Sequence, residues 1–398
     1  MDAAVGRVGT AYPDGMPDQP AQPAQPQSAQ PQSAQPVESI RVRPALESLP
    51  AYVAGRPPAD DGRRRFKISS NESPFPPLPE VRDAAIAAMS GTNRYPDAAA
   101  LQLREALGAE HGVDPSQVVL STGAVAVSGD LVRAVVGDGD EVVFAWRSFE
   151  AYPILVGSHG GTSVPVPLTD AFEHDLAAMA AAITERTRLV LLCTPNNPTG
   201  VSLTTEAIEE FLGSVPEDVV VAIDEAYREF HDPRTVLDTA ALFRRHGNVV
   251  VLRTFSKMQG LAGLRIGYAI AHPRLARALS QVTVPFGASL PAQAAALATL
   301  RPAVRERLDE QAAWIRSERE RVQSALAAQG WELPASQGNF VYFPLGEDSV
   351  AFAAFAEERG VVLRSYGTDG VRASIAEAEA SDLLISAAAA WRERADQR

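Results

Sequence analysis

The stretch LVLLCTPNNPTGVSLTTEAIEEFLGSVPEDVVVAIDEAY (Leu189–Tyr227) holds the pattern that decides the architecture. Two unbroken apolar runs, LVLLC (Leu189–Cys193) and VVVAID (Val219–Asp224), flank a turn-rich PNNPTG and a helically patterned segment, Thr205–Leu212. A strand that is apolar without alternation has both faces covered, as in a parallel sheet with helices on either side. The helix between the runs is the crossover that parallel neighbours require. Working outward, VVL (Val118–Leu120), EVVFA (Glu141–Ala145), NVVVLRT (Asn248–Thr254) and RIGYAIA (Arg265–Ala271) repeat the theme. A mostly parallel α/β sheet is expected.

Beyond Pro285 the pattern changes. Pro291–Leu300 is Ala-rich and helical, and Val304, Leu308, Ile315, Val322 and Leu326 recur at helical spacing through a long charged helix expected to bridge two domains. Strand candidates NFVYFPL (Asn339–Leu345), VVLR (Val361–Arg364) and VRASI (Val371–Ile375), with helices at Val350–Arg359 and Ser381–Arg394, predict a small α+β domain. At the other end, Pro17–Pro36 holds six Pro, seven Gln and four Ala, a composition that cannot build a core. Phe66–Pro79 reads as an extended arm packed on the small domain, before a helix at Glu80–Met89. The division expected is a disordered tail at 1–36, an arm at 37–79, a large domain at 80–290, and an interdomain helix plus small domain at 291–398.

Of the 398 residues, 46% are hydrophobic and 21% charged, with no apolar run long enough to span a membrane. The N-terminus lacks the charged and apolar regions of a secretion signal and Cys193 is the single cysteine, which predicts a cytoplasmic protein. A net charge of -13 has the wrong sign for a nucleic-acid or anionic-membrane partner. The six histidines are too scattered for a metal site, and none is expected. Among 36 basic residues only Lys67 and Lys257 are lysines. Neither precedes Ser or Thr, so there is no phosphate-binding P-loop, and no G-x-G-x-x-G fingerprint occurs. A primary amine that must deprotonate and attack a carbonyl can only be lysine, because guanidinium keeps its proton.

Lys257 follows the strand ending near Thr254, at the sheet edge where open α/β folds place ligands. A loop lysine is more often a solvated charge, but Ser256 beside it and Arg265 eight residues on also suit an amine nucleophile near an anion. Asp224, at the end of a buried strand, is either a capped or salt-bridged core acid or the counter-ion of a protonated heteroaromatic nitrogen. Tyr227 follows at a distance suited to a neighbouring ring oxygen. TPNNPTG (Thr194–Gly200) is a connector or a presenter of an amide, and STGAVAVSGD (Ser121–Asp130) opens a helix whose N–H groups can face an anion. Phe149, in WRSFEAY, is a core aromatic or a stacking partner for a planar ring. Each group follows a successive strand.

Taken in order, TPNNPTG, VVVAIDEAYREF, LRTFSKMQGLAGLRIGY, NRYPD (Asn93–Asp97) and GDEVVFAWRSFEAYP (Gly139–Pro153) resemble the fold-type I aminotransferases dependent on pyridoxal phosphate (PLP). The likeness runs from about Val37 to Arg394 and lies in the histidinol-phosphate aminotransferase branch, with WRSFEAYP most similar to the actinobacterial aromatic amino acid aminotransferases. The resemblance implies a mostly parallel seven-stranded sheet in a large domain and a smaller α+β C-terminal domain. It implies PLP bound covalently to Lys257, which then shuttles the substrate proton, with Asp224 on the pyridinium nitrogen, Asn197 and Tyr227 on the ring oxygen and Phe149 stacked on the ring. The phosphate would rest on the backbone of Ala124, Val125 and Ala126 with Ser256 and Arg265, and Tyr95 would reach it from a second subunit. Arg372, in GVRASI, would bind the substrate carboxylate, and Arg364 occupies the place of a phosphate-binding arginine. A homodimer with shared active sites follows. The phosphate turn departs from the family, reading STGAVAV where relatives usually show Gly-x-Gly-Ser, and Phe149 stands where many have Tyr.

The resemblance implies transamination of an aromatic L-amino acid with 2-oxoglutarate, with histidinol phosphate as the alternative substrate. A PLP-dependent lyase or decarboxylase would retain the same residues. A PLP-fold transcription regulator would need a basic N-terminal winged helix, which residues 1–36 do not resemble. An inert homologue accords poorly with a chain that keeps Lys257 as one of two lysines.

Overall fold

The computed structural model describes residues 41–395 apart from 48, 53–54 and 56–61, so the Pro/Gln-rich segment lies outside the described residues. In chain order the strands are β1 (Phe66–Lys67), β2 (Val118–Ser121), β3 (Glu141–Trp146), β4 (Thr162–Pro167), β5 (Thr187–Cys193), β6 (Val220–Asp224), β7 (Val249–Thr254), β8 (Gly267–Ile270), β9 (Phe340–Phe343), β10 (Val361–Val362), β11 (Arg364–Ser365) and β12 (Val371–Ser374). Seven of them form one sheet in the order β2-β8-β7-β6-β5-β3-β4. The β3, β4, β5, β6 and β7 pairings are parallel, whereas β8 runs antiparallel to both β2 and β7.

The unbroken apolar runs are explained by what lies on each face. Val221 and Ile223 of β6 enter one core cluster and Ala222 the other; Val249 and Val251 of β7 likewise oppose Val250 and Leu252. Successive side chains point to opposite faces of a strand, so a sheet covered on both sides needs an apolar residue at every position. The helices Ala124–Val135, Thr205–Leu212 and Thr239–Arg245 supply much of that cover.

Three features of the strands were not read from the sequence. RIGYAIA is the antiparallel member of the sheet, a direction its composition does not encode. VVLR divides into β10 and β11, which join different sheets. β4, reading TSVPVP, escaped the sequence pattern because it is a sheet edge with mostly polar or exposed positions and two prolines, which only an edge tolerates.

The long helix spans Pro302–Ala328 and buries Val304, Leu308, Ile315, Val322 and Leu326, the residues its spacing selected. Arg319 Nη1 on it donates to the carbonyls of Phe230 and Gly338, both at 2.9 Å, tying the segment after β6 to the approach to β9. β11, β12 and β9 form an antiparallel sheet, and β1 pairs with β10, so the arm is pinned in register at Phe66↔Val361 and Lys67↔Val362. No helix among the described residues is long and apolar enough to cross a membrane.

Candidate active site

The carboxyl ends of β5, β6 and β7 bring the chemistry-bearing residues together, at the sheet edge where parallel α/β folds collect ligands. Asp224 closes β6 beside Cys193 of β5. It is buried, and its carboxylate accepts from Tyr152 Oη at 2.8 Å and from the Ala226 N–H at 3.1 Å. Burial raises its pKa, while those two hydrogen bonds and the charge of Lys257 favour the ionised form. A buried carboxylate held this way suits a cation opposite it.

Lys257, three residues past β7, is half-buried, and its Nζ donates to the Ser70 carbonyl at 3.2 Å and lies 5.5 Å from the centre of the Tyr227 ring. Desolvation first, then the positive charge of Arg372, lowers its pKa to about 7. The amine is therefore substantially unprotonated near neutrality, as a nucleophile or base must be. Tyr227 is buried and its hydroxyl, whose pKa burial raises, accepts from Asn71 Nδ2 at 3.1 Å.

The segment after β2 ends in a helix N-terminus that could receive an anion. The helix Ala124–Val135 is capped by Gly123, which has φ 91° and no side chain to offer, so the first-turn N–H groups of Ala124, Val125 and Ala126 have no side-chain acceptor at the cap. Arg265 lies across this end: a Cβ on Gly123 would meet its Nη2 at 2.4 Å. The same guanidinium reaches Ser256 Oγ at 3.4 Å and the Thr122 carbonyl at 3.5 Å. Orphan amides, a hydroxyl and a guanidinium converge on one point, and with Asp224 and Lys257 this donor set fits PLP.

Arg372 on β12 is buried and directs Nη1 to Asn197 Oδ1 and Nη2 to the Ser69 carbonyl, the latter at 2.7 Å. Its Nε is buried with no hydrogen-bond partner among the described residues. Tyr366 packs near this guanidinium, 5.7 Å from ring centre to Cζ, and Phe340 does so at 5.5 Å. The two asparagines of the turn divide their work. Asn196 is consumed by the loop, through Ser148, Arg147 and Thr199, while Asn197 faces Arg372 and Tyr366.

Of the other expected residues, Arg364 and Phe149 border this cluster and Tyr95 does not. Arg364 pairs with Glu150 at 2.8 Å and lies 5.5 Å from the Tyr366 ring centre. Phe149 stands edge-on to Tyr152, 5.5 Å between centres, next to the residue that holds Asp224. Tyr95 is 82% exposed and stacks on Phe286, away from this cluster. A 640 Å³ cavity bounded by Glu110, Arg228, Arg253, Arg305 and Arg316 contains none of these groups.

Sequence reasoning missed the tripeptide Ser69–Asn71, which touches Arg372, Lys257 and Tyr227 in turn. It also missed Tyr152 and Tyr366. For Tyr152 a signal existed, since a buried tyrosine hydroxyl must find a partner; for the tripeptide, two of the three contacts are made by backbone carbonyls, which no residue type advertises.

The family model for aminotransferase class I and II matches residues 64–390. The aromatic amino acid aminotransferase of Streptomyces coelicolor is 48% identical over 354 residues, covering 89% of this chain and 98% of that protein. That of Rhodococcus opacus is 49% identical over 348 residues, covering 87% and 94%. The crystal structure of histidinol-phosphate aminotransferase from Sinorhizobium meliloti in complex with pyridoxal-5'-phosphate superimposes with a TM-score of 0.76 at 31% identity, covering 88% of this chain and 96% of that one.

Proposed function

The chain belongs to the class I and II aminotransferase family and is a PLP-dependent aminotransferase, and from that premise we propose that it transfers the amino group of an aromatic L-amino acid to 2-oxoglutarate, giving the aromatic 2-oxo acid and L-glutamate. One observation carries the choice of substrate: Arg364, the cation that would serve a phosphorylated side chain, is paired with Glu150 and packed near Tyr366. The names of the relatives at 48% and 49% identity favour the same reading.

In this reading PLP, when bound, supplies a carbonyl that accepts the amine and a ring that withdraws electrons from the substrate Cα. Lys257 holds it covalently and moves the proton at Cα, a task for which its lowered pKa prepares it. Asp224, fixed by Tyr152 and the Ala226 N–H, keeps the ring nitrogen protonated. Tyr227 and the Nδ2 of Asn197 donate to the ring oxygen, and Phe149 covers the ring. Ala124, Val125, Ala126, Ser256 and Arg265 hold the phosphate. Arg372 receives the substrate carboxylate on the side of its open Nε. The exposed Tyr95 serves the site of a second subunit in a homodimer.

The second reading, histidinol phosphate, draws on the likeness to the Sinorhizobium meliloti enzyme and would require Arg364 to give up Glu150. Incubating the PLP-loaded protein with phenylalanine and 2-oxoglutarate tests the proposal. Phenylpyruvate and glutamate in equal amounts are expected; an amine or ammonia in place of glutamate would contradict transamination.

A further inference from the structure

We infer that Asn71 is a positioning residue of this site, fixing the Tyr227 hydroxyl as a donor into the cleft through its side-chain amide. The inference rests on the role proposed above for Tyr227. Asn71 is 0% exposed and sits at φ 52°, a left-handed conformation that asparagine adopts more readily than most residues.

Its amide turns Oδ1 toward Ser374 and Nδ2 toward Tyr227. Ser374 Oγ, at the end of β12, accepts the Asn71 N–H at 2.8 Å and gives its own hydrogen to Asn71 Oδ1 at 2.9 Å. That leaves Nδ2 as the atom facing Tyr227 Oη at 3.1 Å. With a lone pair of Oη engaged by this donor, the tyrosine's own proton has no acceptor in Asn71 and remains for an acceptor in the cleft. The Asn71 carbonyl in turn accepts from Asn339 Nδ2 at 3.3 Å, so the residue is held from both the backbone and the side chain.

The placement also aligns the backbone before it. Ser70 presents its carbonyl to Lys257 and Ser69 its carbonyl to Arg372. The arm is anchored just upstream, where the Ser374 N–H donates to the Ile68 carbonyl at 2.8 Å. Asn71 is thus the side chain by which an otherwise backbone-only strap acts on the ring-oxygen donor.

The test is a pH titration of the bound cofactor's visible absorbance in full-length PLP-loaded wild type, N71G, Y227F and the double variant. Glycine keeps the left-handed turn and removes only the amide. A ring oxygen that loses a donor bears negative charge less well, so Y227F raises the titration midpoint. N71G is expected to raise it in the same direction by about half a pH unit or more, to lower kcat/KM about five- to tenfold, and to add nothing in the Y227F background. S374A, which releases the amide to turn, reports the same effect if N71G does not fold. An unchanged midpoint in N71G and S374A beside a shifted Y227F would overturn the proposal alone, as would an N71G shift that persists in full in the Y227F background. A Y227F protein indistinguishable from wild type would instead overturn the reading of Tyr227, and this inference with it.

Discussion

At the scale of single residues, the site is a set of groups held in states they would not keep in water. Lys257 has its pKa lowered to about 7 because burial and Arg372 both penalise the ammonium. In the cofactor-free protein that penalty is a stability cost. The folded state binds fewer protons than the unfolded state between pH 7 and the ordinary 10.5, so stability from this group rises with pH across that interval. K257M removes the titrating group. Its cofactor-free form should melt higher than wild type at pH 6.5, with the difference shrinking toward pH 10; parallel melting curves across that range would contradict the burial argument. That Lys257, Asp224, Tyr227 and Arg372 would gather in one candidate site was readable in the sequence because each is a chemically distinctive residue at a strand end or in a specific motif. Tyr152 offered only the weaker signal that a buried tyrosine hydroxyl needs a partner, because a tyrosine three residues after Phe149 reads equally as core.

At the scale of elements, one helix end and one glycine make up the anion cradle proposed for the cofactor phosphate. Arg265 lies so close over Gly123 that a methyl group there would meet Nη2 at 2.4 Å, at a φ of 91° that alanine avoids. G123A should therefore displace Arg265 and strain the first turn. The expected result is an increase of about tenfold or more in the PLP dissociation constant, the range for losing one charge-assisted contact, measured by titrating the cofactor-free protein. Unchanged PLP affinity would remove Arg265 and this helix end from the cradle. The apolar strands were readable because two covered faces leave no polar position, whereas the edge strand β4 and the reversed β8 are settled by neighbours rather than by their own composition. The arm illustrates a further limit: Phe66–Lys67 is recognisably extended, but its pairing with Val361–Val362 and its delivery of Ser69–Asn71 into the site depend on chain nearly 300 residues away.

At the scale of the whole molecule, buried histidines contribute to the loss of stability in acid. His174 is buried with its Nε2 unpartnered among the described residues, and desolvation lowers its pKa from 6.5 to about 4. His111, 2.9 Å from Tyr268 Oη, is also lowered to about 4, chiefly by burial. Below pH 6.5 the unfolded chain takes up protons that the folded chain refuses, so stability is lost as pH falls toward 4. For His174 a shift of that size costs about 2 kcal/mol by pH 5. H174Q should lose less stability than wild type between pH 7 and pH 5 in urea titrations, and an identical loss would show that His174 is not the group responsible.

The same molecule-wide view frames the central proposal, that a PLP site built on Lys257, Asp224 and Arg372 takes an aromatic substrate side chain while Arg364 stays paired with Glu150. The most direct measurement mixes the PLP-loaded protein, without any 2-oxo acid, with phenylalanine, tyrosine or histidinol phosphate and follows the loss of the bound cofactor's visible absorbance. Rapid loss with phenylalanine or tyrosine and slow loss with histidinol phosphate is the predicted result. Rapid loss with histidinol phosphate and little with the aromatic amino acids would contradict it.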